Sequence, residues 1–168
     1  MSHRSARIFT DKPSQGVVDL WLMEAPRVEL KHSELTDKII GIFYDVYNEL
    51  GYEFLESTYS EAMIIALQDG GLEVAREVPV PVWFRGRKAG QYFADLLVDK
   101  IVLLELKSAR SIESSHEAQL LHYLRATDIE VGLLLNFGVR PQVRRLLFDN
   151  ERKKTRGNPC ESVAEVSA

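Results

Sequence analysis

An aspartate, a glutamate and a lysine lie close together in the most apolar part of this sequence. The run is Ala94-Asp95-Leu96-Leu97-Val98-Asp99-Lys100-Ile101-Val102-Leu103-Leu104-Glu105-Leu106-Lys107. Its second half alternates as a strand does. Ile101, Leu103, Glu105 and Lys107 should leave one face, and Val102, Leu104 and Leu106 the other. A carboxylate inside such a strand is costly unless it is paired or holds a cation. Asp95 can join it on one geometrical condition. The connection must be an odd-length loop such as Asp99–Ile101, or carry a bulge. A two-residue Asp99-Lys100 turn would oppose Asp95 to Leu104 and send the carboxylates to opposite faces. With the condition met, two hard oxygen donors converge beside an ammonium, a set that suits Mg²⁺ or Mn²⁺. Its chemistry would be water activation and charge neutralisation at a phosphate. The lysine would orient the water or stabilise developing charge.

Elements on either side must position these groups. Ser33 and Thr36 are candidate N-caps, with Glu34 and Asp37 in the first turn. Ile39, Ile40, Phe43, Tyr44, Val46, Tyr47 and Leu50 then recur at helical spacing up to Gly51. A second helix follows with Leu55, Tyr59, Ala62, Met63, Ala66 and Leu67, stopped by Gly70-Gly71. Val74 to Phe84 reads as a strand whose Pro79 and Pro81 favour an edge or a bulge. Arg85 to Gly90 is expected to be a turn. Strands at Gln91–Val98 and Ile101–Lys107 follow, then a helix at Ile112–Ala126 and a buried strand at Val131–Phe137. Gln142–Phe148 fits either a strand or a short helix. The order α-α-β-β-β-α-β predicts an α/β (α+β) domain with helices on a central mixed sheet. Residues 1–32 read as a weakly structured arm, 33–150 as the domain and 151–168 as a polar tail.

Asp95 followed after a hairpin by Glu105-Leu106-Lys107 resembles the signature of the PD-(D/E)XK nuclease superfamily, with Ala94-Asp95 in place of its Pro-Asp. Gly51-Tyr52-Glu53-Phe54-Leu55-Glu56-Ser57-Thr58-Tyr59 is similar to the motif naming the GxxExxY family of that superfamily. Gln119 and Tyr123, four apart on one helical face, resemble the Gln-x-x-x-Tyr element of RecB-like exonucleases. The likeness runs from about Leu35 to about Phe148. It implies a restriction-endonuclease-like core, with Asp95, Glu105 and the Leu106 carbonyl as metal ligands. It also implies Lys107 as the catalytic lysine, Glu56 as a further acidic group at the metal, and Gln119 and Tyr123 as positioning groups. One departure stands out: the family loop carries a Gly-Pro-Gly-like run, and here Gly51 is followed by Tyr52-Glu53.

Each residue also has a plainer reading. Glu105 and Lys107 could form a salt bridge on an exposed face, which the apolar Ile101 and Leu103 beside them disfavour. Asp95 could serve a strand end, and Glu56 could only compensate a helix dipole. Gln119 and Tyr123 could be ordinary helix residues. His116 and His122, six apart, miss the spacing of a helical metal pair and read as solvated or hydrogen-bonded, though His116 could border the site. Arg85, Arg87, Lys88, Arg140, Arg144 and Arg145 could meet phosphates, but a solvated turn and strand face explains them as well.

The chain has 168 residues, 45% of them apolar, enough for one core without disulfides. The single cysteine, Cys160, excludes an internal disulfide framework and a Cys-rich zinc site. No apolar run is long enough to span a membrane, and Met1 to Thr10 lacks a signal-like stretch. A cytoplasmic protein without membrane partners is therefore expected. The leading functional reading is a Mg²⁺- or Mn²⁺-dependent nuclease acting on DNA or RNA. The net charge of −4 motivates the alternative, a catalytically inactive nuclease-fold module that binds nucleic acid or protein. A homodimer through the proline-marked edge strand is a third reading.

Overall fold

The computed structural model describes residues 30–154, with the side chain of residue 154 left out. Residues 1–29 of the expected arm and 155–168 of the expected tail fall outside the described residues. The elements are α1 (Ser33–Leu50), α2 (Glu56–Asp69), β1 (Val74–Phe84), β2 (Arg87–Val98), β3 (Val102–Lys107), α3 (Ser114–Ala126), β4 (Val131–Asn136), β5 (Gln142–Leu147) and α4 (Asn150–Lys154). The strands form one mixed sheet in chain order. Among the described strands only β3 and β4 pair in parallel, with α3 as their crossover. The undecided segment before Phe148 is thus a strand, antiparallel to β4.

Burial explains the layers. Every residue of β4 is buried, and so is every residue of β3 except half-buried Lys107, as expected of parallel strands covered on both sides. On one face Leu96, Val98, Val102, Leu104 and Leu106 pack with Ile39, Phe43, Tyr59 and Met63 of α1 and α2. On the other, Ala94, Leu97, Leu103 and Leu134 pack with Leu120, Tyr123 and Leu124 of α3. Gly132 permits that closeness, because a Cβ there would stand 2.8 Å from Leu120 Cδ1. The edge position suggested by Pro79 and Pro81 is observed: β1 ends the sheet. The strand irregularity, however, falls at Val82/Trp83 and not at the prolines.

Three local expectations differ. Neither Ser33 nor Thr36 caps α1 with its side chain. His32 takes the N-cap position at φ 57°, and the Thr36 hydroxyl donates back to the Ser33 carbonyl at 3.0 Å. The turn after β1 is only Arg85-Gly86, at φ 50° and 73°. Two successive positive φ values suffice for a tight hairpin, so Lys88, Ala89 and Gly90 are already in β2. Finally, the polar C-terminal stretch begins as α4. There the buried Lys153 ammonium donates to the carbonyls of Thr127 (2.8 Å) and Ile129 (2.7 Å), satisfying backbone acceptors at the entry to β4. No described helix is long and apolar enough to cross a membrane.

Candidate active site

The register of β2 on β3 decides whether the two carboxylates can meet. Val98 pairs with Val102, Leu97 with Leu103 and Leu96 with Leu104, leaving Asp99-Lys100-Ile101 as a three-residue loop. Asp99 and Lys100 adopt φ 49° and 59°, and the Ile101 N–H closes onto the Val98 carbonyl at 2.9 Å. This is the odd-length loop the site requires. Ile101 itself lies in the loop and packs with the α1/α2 cluster, not beside Leu103.

Continuing the register one step places Asp95 across from Glu105, and there the sheet opens. The β2–β3 ladder stops at Leu96/Leu104 while β3 runs on to Lys107 against β4 alone. On its other side β2 also loses a rung: Arg76/Leu96 and Val78/Ala94 pair, but Glu77/Asp95 between them does not, and Glu77 has φ 49°. The in-out alternation slips at this rung. Leu97 and Ala94 both contribute to the α3 face although they are three residues apart. The freed Asp95 carboxylate fills the gap, accepting the Leu106 N–H at 2.7 Å. A residue's N–H and C=O leave a strand on the same side, so the Leu106 carbonyl also faces the opening.

Glu105 is 1% exposed, which removes the exposed salt-bridge reading. Its Oε1 accepts from Lys107 Nζ at 2.6 Å and from Gln119 Nε2 at 2.7 Å, and the Gln119 amide also donates to the Tyr123 hydroxyl at 2.8 Å. Its Oε2 is buried and has no hydrogen-bond partner among the described residues. An unsatisfied buried charge of this kind costs at least about 1–3 kcal/mol. Burial first, then the charge of Asp95, push the Glu105 carboxyl up to about 7, against the pull of Lys107. Burial also raises Asp95, opposed by the Leu106 N–H and Lys107. For Lys107 burial works downward, but the hydrogen bond to Glu105 and the surrounding carboxylates hold it above its usual value. It remains an ammonium at neutral pH.

These residues fit a hard divalent cation. The charge of Asp95 helps raise the Glu105 pKa, one buried carboxylate oxygen has no donor among the described residues, and a backbone carbonyl faces the opening. Among the described residues no three His, Cys, Asp or Glu side chains form a metal-holding group. Glu56 shares a cavity of about 180 Å³ with Asp95 and Leu106, but its carboxylate accepts the Ser108 N–H at 3.1 Å. His116 is engaged at the start of α3. Its Nδ1 accepts the Glu113 N–H and closes the capping box of α3.

A comparison with protein families matches residues 33–146 to the PD-(D/E)XK nuclease superfamily. The chain belongs to that superfamily. A solved structure titled "Crystal structure of SSO0001" is similar at 18% identity over 76% of this chain and 71% of that one, with a TM-score of 0.39. No curated protein matches. The superfamily assignment rests on the family match. The sheet with its flanking helices is the restriction-endonuclease-like core expected of a nuclease-type domain.

Several supporting residues of this PD-(D/E)XK site were not singled out in the sequence. Ser108 holds Glu56 through its N–H and donates its hydroxyl to the Phe54 carbonyl at 2.9 Å. Asn136 is buried, and its amide bridges both the N–H and the carbonyl of Ala109 at 2.9 Å, clamping the chain just past Lys107. One polar residue ending the apolar run Val131–Phe137 was the available signal. Glu77 lines the cavity with Asp95, and nothing in its sequence context marks it.

The loop that departs from the family pattern carries a further consequence. Tyr59 stacks on Phe137 at 4.1 Å, donates to the Gly51 carbonyl at 2.9 Å and accepts the Phe54 N–H at 3.3 Å. It thereby fixes the loop that leads to Glu56. Within that loop Glu53 sits at φ 86°, a left-handed conformation that favours glycine. Glu53 is exposed, so its side chain contributes little packing. Glu53→Gly should stabilise the protein by about 1 kcal/mol in urea denaturation, strain relief exceeding the added unfolded-state entropy. An unchanged or lower midpoint would show that the loop stores no such strain.

Proposed function

We propose that this protein is a Mg²⁺- or Mn²⁺-dependent nuclease hydrolysing phosphodiester bonds of DNA or RNA. The observation that carries the reading is the asymmetry of Glu105. Lys107 and Gln119 both hold Oε1, while buried Oε2 has no partner among the described residues and the charge of Asp95 acts on the same carboxyl. Asp95, Glu105 and the Leu106 carbonyl would hold the ion, with Glu56 as an acidic neighbour at the cavity wall. A bound divalent cation would supply Lewis-acid charge at the scissile phosphate and acidity to a water. Gln119 and Tyr123 keep the Glu105 carboxylate in one orientation. Lys107 places a permanent positive charge where a phosphate oxygen or attacking water would stand. The geometry around Glu56 and Tyr59 supports the narrower assignment to the GxxExxY family.

Purified protein with Mg²⁺ or Mn²⁺ should cleave single- or double-stranded DNA or RNA, and Glu105→Ala should abolish this with its circular dichroism unchanged. Activity retained in that variant would identify a contaminant. The acidic net charge and the small number of side-chain ligands favour a second reading, a binding module without turnover. Calorimetry with Mn²⁺ separates the two, because no uptake dependent on Asp95 leaves only the module.

A further inference from the structure

The β1–β2 hairpin outgrows the sheet that holds the site. β2 meets β3 only through Leu96–Val98, whereas it pairs with β1 as far as Arg87/Phe84. Beyond Asp95 the two strands run on as a ribbon. Between this ribbon and α3 lies a groove of about 740 Å³, lined by Val80, Val82, Tyr92, Gln119, His122 and Tyr123 among others. Gln119 and Tyr123 thus belong both to the groove wall and to the hydrogen-bonded chain ending on Glu105. The groove and the site share these two side chains.

Its lining has a distinct chemistry. Tyr92 is 56% exposed, with its ring centroid 6.4 Å from that of Tyr123. Phe84 and Phe93, on the same ribbon but outside the groove lining, are also more than half exposed. From Val78 to Phe93 the charges are Arg85, Arg87 and Lys88, with no acidic residue, in a chain of net charge −4. Exposed aromatic rings interleaved with cations are what an unpaired nucleic-acid strand recognises: rings stack bases and cations follow phosphates. A duplex gains little from such rings, because its base faces are already covered by neighbouring bases.

We propose that the groove between the ribbon and α3 is a binding track for single-stranded nucleic acid. Tyr92 stacks a base, the tip residues Arg85, Arg87 and Lys88 hold the backbone, and the strand points toward Glu105. The direction of travel rests on the nuclease reading; the binding itself does not.

Fluorescence anisotropy in EDTA, where no metal-dependent cleavage occurs, tests this with a labelled strand of about 15 nucleotides. The single strand should bind at least roughly tenfold tighter than its blunt duplex. Tyr92→Ala should weaken it roughly tenfold while Tyr92→Phe retains it, and an abasic strand of equal length should bind the wild type as weakly as the intact strand binds Tyr92→Ala. Replacing Arg85, Arg87 and Lys88 together by alanine should flatten the salt dependence by up to about 2 in logarithmic slope. Equal binding of duplex, indifference to Tyr92→Ala or to base removal, or no binding at all would overturn the proposal. Absence of metal-dependent cleavage with this binding pattern intact would overturn only the catalytic reading. Cleavage without strand preference would overturn only the track.

Discussion

Lys107→Ala is expected to lower the rate of metal-dependent cleavage by roughly 10²–10³-fold, the effect typical of removing one preorganised charged donor. The protein should still fold and still take up Mn²⁺. The ammonium is half-buried, sits 2.6 Å from Glu105 Oε1 and is held in its charged form by the carboxylates around it. It is not itself an oxygen donor to a cation. Its removal leaves the Glu105 carboxylate with Gln119 as its remaining donor and takes away one influence that lowers its pKa. Metal uptake in the variant should therefore shift toward higher pH, because a more tightly held proton competes with the ion. Lys107→Arg should not restore full activity. A planar guanidinium cannot occupy the position of a compact ammonium wedged against a buried oxygen. Calorimetry with Mn²⁺ and single-turnover cleavage across pH separate these effects. Loss of metal uptake at every pH in Lys107→Ala would mean that the lysine builds the site and does not act in it. Unchanged cleavage would remove Lys107 from the chemistry.

How much of this was legible in the sequence depends on the distance over which each signal acts. The alternation from Leu103 to Lys107 is local, and a strand buried on both faces enforces it, so Glu105 and Lys107 could be read directly. The odd-length loop could be stated as a condition but not decided, because the left-handed Asp99 and Lys100 satisfy it with residues that carry no glycine signature. Gln119 and Tyr123 were readable as one helical face. That this face meets Glu105 depends on the parallel crossover placing α3 against β3 and β4. The slip at Glu77/Asp95 was out of reach, since it arises where two neighbouring ladders lose the same rung. Glu56 shows a similar limit. Its partner is a backbone N–H fifty-two residues away, and a main-chain donor leaves no mark on residue type. The turn expected over Arg85–Gly90 was too long for an ordinary reason: Gly90 suggested a bend, while Arg85 and Gly86, both at positive φ, already supply the conformation a tight hairpin needs.

The metal-free protein should become less stable as the pH rises, opposite to the behaviour of a protein held by salt-bridged carboxylates. Burial and the charge of Asp95 raise Glu105 from the ordinary 4.5 to about 7. Between those values the folded state keeps a proton that the unfolded state has released, so stability falls with increasing pH. The contribution is fully present below the unfolded value and is lost as the pH climbs through about 7. The gap corresponds to about 3 kcal/mol. Asp95, also raised, acts in the same sense. Lys107 does not oppose the trend, because its pKa is shifted up from 10.5 and its contribution is lost only on the alkaline side of the window. Denaturant titrations in EDTA from about pH 5 to about pH 8.5 should therefore show a declining free energy of unfolding. Glu105→Gln, which keeps an oxygen for Lys107 and Gln119 but cannot ionise, should largely flatten that decline and be the more stable protein at the alkaline end. Mn²⁺ should return the lost stability to the wild type at high pH, by about 2.7 kcal/mol at a hundredfold excess over its dissociation constant, and leave Glu105→Gln nearly unmoved. Parallel pH curves for the two proteins would mean that Glu105 is not the strained group. The metal site would then lose its physical basis, because a carboxylate already content in the fold has no unpaired oxygen for a cation to satisfy.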